Sequence, residues 1–224
     1  MSVISILMSI IKNNMYLLEL FAGSRSIGKE AEKLGYKVFS VDINNFDGID
    51  LVQDIEYLTK EMIPFKPNVI WASPPCTTYS IAAISHHRGL NKPITPFAEK
   101  SDRLVKNVLK LIKEFDCIYY IENPRGYLRK MPFIKGLPRT TVTYCSYGDT
   151  RMKPTDIWSN NIFDMFNTNG WKPRPMCYNG NSKCKHEAAP RGSRTGTQGL
   201  KSNYERSKIP KELCIEILKS TIDE

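Results

Sequence analysis

The 224-residue chain has few acidic groups, no long apolar run and none of the familiar phosphate-binding loops. No stretch approaches the length needed to cross a bilayer, so no membrane partner is expected. The first eleven residues, MSVISILMSII, are apolar but too short to span. They also lack the basic leading region and small-residue cleavage site of a signal peptide. Absence of G-x-G-x-x-G disfavours NAD, and absence of G-x-x-x-x-G-K-[ST] removes the usual holder of a triphosphate. No two cysteines have the C-x₂₋₄-C spacing of a standard zinc motif. Internal repeats and low-complexity tracts are missing too. Against 32 lysines and arginines stand 23 acids, a net charge of +9 that favours a polyanionic partner such as DNA or RNA.

What remains suits one domain, or one domain with a sizeable insertion. Hydrophobic residues make up 41% of the chain, enough for a real core. The six cysteines, at 76, 117, 145, 177, 184 and 214, are scattered and suit a reducing compartment. Met15 directly precedes the first convincing strand. Residues 1–14 are therefore expected to be an extension, either an ancillary helix or an upstream start that adds little.

Strands are predicted over MYLLELFAG, YKVFSVDI, PNVIWASPPC, DCIYYIENP and TTVTYCSYG, from apolar runs closed by Gly, Pro or Asn. Helices are predicted over SRSIGKEAEKLG, stopped at Gly35, and over FAEKSDRLVKNVLKLIKEF. In the second, Leu104, Val108, Leu111, Ile112 and Phe115 recur at helical spacing. Alternation of strand and helix implies parallel β-α-β units and a Rossmann-like α/β core over residues 15–150. From about Asp149 the composition turns basic and rich in Gly, Asn and Pro, which marks a small irregular region over 151–207. An amphipathic helix, IPKELCIEILKSTIDE, then returns to the core over 208–224.

Ligands in such sheets sit beyond the carboxyl ends of the strands. The first such end carries Phe21, Ala22 and Gly23, and glycine there lets a ligand approach the backbone. Asp42 and Ile43 close the second strand, and Asp42 is placed for a ribose hydroxyl pair. Asp54 and Ile55 follow in a loop, with Asp54 able to accept from an adenine amine. Pro74 completes the candidate cofactor contacts. A Gly loop, a ribose acid and a base-reading acid in this order suit S-adenosylmethionine better than a nucleotide phosphate. The plainer alternative is that Gly23 turns the chain and Asp42 caps a helix.

VIWASPPCTTYS raises the sharper question. Pro74 and Pro75 stiffen the loop that presents Cys76, and nucleophilic chemistry needs a rigidly placed group. A lone cysteine is otherwise commonly a core residue. Glu122, in IENPRGYL, comes beside Cys76 if neighbouring strands carry the two motifs, and could act as a proton donor. Pairing of Glu122 with Arg125 or Arg129 is the competing reading.

The ordered set LELFAGSRSIG, QDIEYL, SPPCTTYS and IENPRGYL resembles the DNA (cytosine-5) methyltransferases, in particular their compact, phage-type members. The resemblance covers most of the chain after residue 15. It implies a class I S-adenosylmethionine-dependent methyltransferase fold and double-stranded DNA as partner. A monomer and a cytoplasmic setting, in a bacterial or phage-infected cell, are expected with it. It further implies that cytosine is rotated out of the duplex. Cys76 then attacks C6 while Glu122 protonates N3, and C5 takes the methyl group before Cys76 leaves.

GDTRMKPTDIW falls where the family carries Q-x-R-x-R. Arg151 is then the group at the cytosine O2. Lys153 stands for the second arginine, or contacts phosphate, and Asp149 replaces the glutamine. YERSKIPKEL departs from the family's final motif by lacking its glycine and asparagine. The variable target-reading region spans roughly 155–205, with Arg191, Arg194 and Lys201 as DNA contacts beside Ser80 and Arg125. A solvated surface loop is the competing reading of that region.

Cys177, Cys184 and His186 lie close in sequence, and Cys145 is a conceivable fourth ligand. Their spacing matches no standard motif, so reduced thiols and no metal are expected, with a zinc staple in a region of few large apolar residues as the competing reading. Two other functions stay open: an RNA cytosine-5 methyltransferase, and a DNA-binding relative without turnover. An amino methyltransferase is disfavoured, because its catalytic tetrapeptide needs an aromatic residue where Cys76 stands.

Overall fold

A computed structural model describes residues 15–90, 92–187 and 202–222. The extension 1–14 and the candidates Arg191, Arg194 and Lys201 lie outside the described residues. Seven strands form one sheet: β1 (Tyr16–Leu20), β2 (Lys37–Asp42), β3 (Leu51–Val52), β4 (Val69–Ala72), β5 (Ile118–Pro124), β6 (Arg139–Thr143) and β7 (Pro154–Ser159). Their spatial order is β3-β2-β1-β4-β5-β7-β6. The pairs from β3 to β5 are parallel, whereas β7 runs antiparallel to both its neighbours. This is the Rossmann-like α/β class read from the sequence.

Helices cover both faces, which is why β4 reads as an unbroken apolar run and β1 is broken only by the buried Glu19. Successive strand residues point to opposite faces, so Leu18 and Leu20 join one core and Leu17 the other. On the first face lies α2 (Pro96–Phe115), burying Leu104, Val105, Val108, Leu111 and Phe115. Each such side chain contributes about 1.5–3 kcal/mol when fully buried. Thr95 caps this helix by accepting from the Ala98 amide at 3.2 Å, and Pro96 opens it. The opposite face holds α1 (Ser26–Lys33) and α3 (Lys211–Lys219), packed together through Ile27, Ala31, Leu213 and Ile217.

The terminal helix packs on the core, and the segment leading into it lies beside the start of α1. The Ile209 amide donates to Ser26 Oγ at 3.2 Å, and the Tyr36 hydroxyl donates to the Leu218 carbonyl at 2.8 Å. Among the described residues no helix is long and apolar enough to cross a membrane.

One boundary differs from expectation. Residues 154–159 belong to the core sheet, between β5 and β6, and not to the irregular region assigned from residue 151. A strand there is hard to read because it opens on Pro154 and carries Asp156, which is fully buried. The charge is tolerated because Arg129 Nε donates to it at 2.8 Å, Thr141 Oγ1 at 2.8 Å and Arg139 at 3.3 Å. At the other end of the hairpin, β6 stops at Thr143. The predicted continuation TYCSY coils into a single turn, Tyr144–Tyr147.

Candidate active site at the carboxyl ends of the strands

The loop after β1 is strained. Phe21, Gly23 and Arg25 have φ of 57°, 48° and 53°, a region that costs non-glycine residues about 1–3 kcal/mol each. Neighbours hold it there. Ala22 N donates to Val41 O at 3.1 Å, Arg25 Nε donates to Ser40 Oγ at 2.9 Å, and the Arg25 guanidinium pairs with Glu32. A Cβ added at Gly23 would meet nothing closer than the Phe21 carbonyl at 3.9 Å, so this corner of the backbone is open to a ligand.

Asp42 caps no helix, unlike the plainer reading, and instead ties together the loops after β1 and β2. One oxygen accepts from Gly23 N at 3.0 Å, the other from Asn44 N at 2.8 Å. Asp54 caps the short turn Ile55–Tyr57 through Glu56 N at 3.0 Å and pairs with Lys100 at 2.6 Å. Burial pushes the Asp54 carboxyl up, but the Lys100 ammonium and the Glu56 amide outweigh this and hold it below the ordinary value. A carboxylate offers about four acceptor sites, so both acids keep capacity for a ligand. Ile43 is exposed beside Asp42, whereas the Ile55 side chain is buried in the core.

Strands β4 and β5 are adjacent and parallel, with Ala72 beside Ile121. Pro74, Pro75 and Cys76 therefore emerge next to Glu122. The Asn123 amide donates to the Pro74 carbonyl at 2.8 Å and ties the two motifs together. Gly126 completes the join, since a Cβ there would lie 2.6 Å from the Tyr79 carbonyl. Burial pushes the Cys76 thiol above its ordinary pKa, the Glu122 carboxylate pushes the same way, and Lys153 and Arg206 oppose them. Glu122 is buried and accepts from the Tyr144 hydroxyl at 2.8 Å, so neither Arg125 nor Arg129 claims it. Arg129 pairs with Asp156, and Arg125 is exposed with its amide on the Pro154 carbonyl at 2.8 Å.

The two basic residues after Asp149 take different positions. Arg151 is held by Asp149, Nε to Oδ1 at 2.9 Å and Nη2 to Oδ2 at 2.5 Å, and by the Arg206 carbonyl at 3.3 Å. Lys153 is buried, with φ of 27°, its Nζ 3.1 Å from the Arg206 carbonyl and 4.5 Å from the centre of the Tyr144 ring. Burial lowers the Lys153 pKa, and the nearby Glu122 carboxylate acts against that. Of these two residues it is Lys153, rather than Arg151, whose charge acts on Cys76 and Glu122.

Sequence reading missed the residues that brace the thiol loop. Arg88 donates to the Thr78 carbonyl at 2.9 Å and grips Asp102 of α2 at 2.7 and 3.1 Å. Tyr79 also donates to Asp102, at 2.8 Å, with the Arg88 guanidinium 4.3 Å from its ring centre. No local motif announces this buried network. Tyr144 was legible only as a strand aromatic. Ser80 ends the turn Thr77–Tyr79, half-buried at the rim of this loop.

The chain is 26% identical over 219 residues to the "Probable DNA (cytosine-5)-methyltransferase" of Frog virus 3 (isolate Goorha), covering 91% of this chain and 99% of that protein. The resemblance to the DNA (cytosine-5) methyltransferases carried by the motifs thus extends over nearly all of both chains. No family model matches the chain. Among solved structures it is similar to a magnesium protoporphyrin IX methyltransferase from Synechocystis PCC 6803 (TM-score 0.40, 12% identity, 70% of this chain and 76% of that one). It is also similar to an S-adenosylmethionine-dependent methyltransferase from Clostridium acetobutylicum ATCC 824 (TM-score 0.29, 18% identity, 61% and 54%). Both structural scores are too low to carry a functional argument.

Proposed function

We propose that the protein is an S-adenosylmethionine-dependent DNA methyltransferase that modifies C5 of cytosine through a covalent bond from Cys76 to C6. The observation that carries this reading is the side-by-side arrangement of β4 and β5, with a thiol, a carboxylate and an ammonium at one strand end. The relative described above, matched over 99% of its length, supports methyl transfer to C5 of cytosine in DNA.

Cofactor binding fits the first loop: the open corner at Gly23 for close approach, Asp42 for the ribose hydroxyls and Asp54 for the adenine amine. When bound, S-adenosylmethionine supplies an electrophilic methyl group. The chain's own residues do the rest. Cys76 Sγ must lose its proton to attack C6, and Glu122, sharing the site, accepts that proton and delivers it to N3. Sulfur adds to carbon, the C5–C6 double bond opens, and C5 becomes enamine-like. Lys153 stabilises negative charge developing on the cytosine O2. Arg151 acts as a positioning residue, holding Asp149 and the chain near Arg206. C5 would then take the methyl group as the bond from that methyl to the sulfonium sulfur breaks. Water takes the C5 proton, whose bonding electrons restore the C5–C6 double bond and expel Sγ as a thiolate, and N3 returns its proton to Glu122.

Rotation of cytosine out of the duplex is part of this reading, since a base still in the stack offers no access to C6. The net charge of +9 supports phosphate contacts, with Ser80 and Arg125 near the site and Arg191 and Arg194 further along the chain. Duplex DNA carrying 5-fluorocytosine tests the mechanism. A stable adduct with the intact protein, absent in Cys76→Ser, is expected; failure of the intact protein to form any adduct would remove the proposal. Offering tRNA beside duplex DNA separates the RNA alternative.

A further inference from the structure

Four ligand-bearing side chains converge away from the thiol loop. The Sγ atoms of Cys145, Cys177 and Cys184 and a ring nitrogen of His186 all lie within 4.8 Å of one another. Cys145 sits in the single turn after β6, and the other three come from the irregular chain after residue 171. Bonds of about 2.3 Å to sulfur and 2.05 Å to nitrogen, at the tetrahedral angle, put ligand atoms about 3.6–3.8 Å apart. Cys177 Sγ and His186 Nδ1 are 3.6 Å apart. We infer that these four residues form a closed structural zinc site.

Several features favour this occupant over three reduced thiols and one imidazole met by chance. Three thiolates and one imidazole suit a borderline-soft tetrahedral ion and leave no position open for substrate. Asn181 Nδ2 approaches Cys177 Sγ at 3.3 Å, the kind of outer hydrogen bond that orients a thiolate ligand. Gly180, at φ 81°, turns the chain so that Cys184 comes back towards Cys177. Three thiolates and a dication leave one net negative charge, and the exposed Lys183 and Lys185 lie in the same loop. Beyond Arg174, which pairs with Glu212 and Glu216 of α3, the loop has little else to hold it. Met176 and Tyr178 are 44% and 65% exposed, and its links to the core are mainly single bonds such as Cys177 N to Thr143 Oγ1 at 2.8 Å and Glu187 N to Thr150 O at 2.8 Å.

The site, though not its role, is independent of the function proposed above. In that function the ion would clamp the entry to residues 188–201 against the turn that carries Tyr144, the hydrogen-bond partner of Glu122. Target-reading chain and catalytic carboxylate would then share one support.

The test uses the full-length protein purified without chelator from zinc-supplemented cells. Elemental analysis should find about one zinc per chain, released by an organomercurial after about three thiol equivalents. Cobalt substitution should give thiolate-to-metal charge transfer and the strong visible bands of a tetrahedral ion. Cys184→Ser and His186→Ala should lower the zinc content several-fold, while Cys117→Ser should keep it. Folded wild-type protein containing less than about a tenth of a zinc per chain would overturn the site, as would a disulfide joining two of the three thiols. Should the variants fail to fold, the wild-type metal content and cobalt spectrum decide alone. A zinc-loaded protein that forms no adduct with 5-fluorocytosine DNA would sink the proposed activity and keep this site; an active protein free of zinc would do the reverse.

Discussion

Two sulfur-bearing clusters in this protein are built by opposite means. Cys76, Glu122 and Lys153 meet because parallel strands deliver the first two to one edge, and every neighbouring segment is locked by burial or hydrogen bonds. Cys145, Cys177, Cys184 and His186 meet across an irregular loop with little core of its own. In the first cluster the fold holds the chemistry. In the second, by our inference, the chemistry holds the fold. Substitutions in the first should therefore damage rate more than stability, and substitutions in the second the reverse.

The largest expected effect is Cys76→Ala, which removes the only atom proposed to bond carbon. Methyl transfer should be lost, with thermal stability and cofactor affinity nearly unchanged; a large fall in melting temperature would contradict the contrast. Lys153→Met comes next. Loss of one charge-stabilising donor lowers turnover by about 10²–10³-fold in comparable sites, and Lys153→Arg should recover part of it. Arg151→Met should instead cost mainly stability, because its guanidinium is spent on Asp149 and a carbonyl. Single-turnover rates and denaturation curves on the same samples separate the two positions.

Glu19 sharpens the comparison from beneath the sheet. Burial raises its carboxyl from 4.5 to about 7, against hydrogen bonds from Ser40 and the Gly28 amide. The folded protein then holds a proton between about pH 4.5 and 7 that the unfolded chain has released, so this group's contribution to stability falls as pH rises through that window. The fall amounts to at most about 3 kcal/mol, and Glu19→Gln should flatten it. Urea denaturation at several pH values reads this directly; an unchanged slope in the variant would refute the assignment. The smallest effect is expected for Tyr144→Phe. It removes one hydrogen bond to Glu122, worth about 1–3 kcal/mol for a charged acceptor, and should slow transfer by about tenfold while the protein keeps its fold.

Much of the sheet was legible because buried parallel strands leave largely apolar runs and α2 leaves a clear helical period. The strand over 154–159 was not, since Pro154 and Asp156 break its pattern and the partners that explain the acid, Arg129, Arg139 and Thr141, lie elsewhere in the sequence. At the site, Cys76 and Glu122 stood out through the prolines and the Asn-Pro turn around them. Arg88, Asp102 and Tyr144 did not, because each matters through a partner far along the chain. Lys153 was named only as the second basic residue or a phosphate contact, with the cytosine O2 given to Arg151.

By itself, then, the order of residues determined which chemical groups exist and which stretches become strands and helices, since local periodicity and stiff dipeptides act over a few residues. Only the tertiary structure decided which of two cations faces the thiol and whether scattered cysteines converge. Those outcomes depend on distances between segments that no local preference encodes.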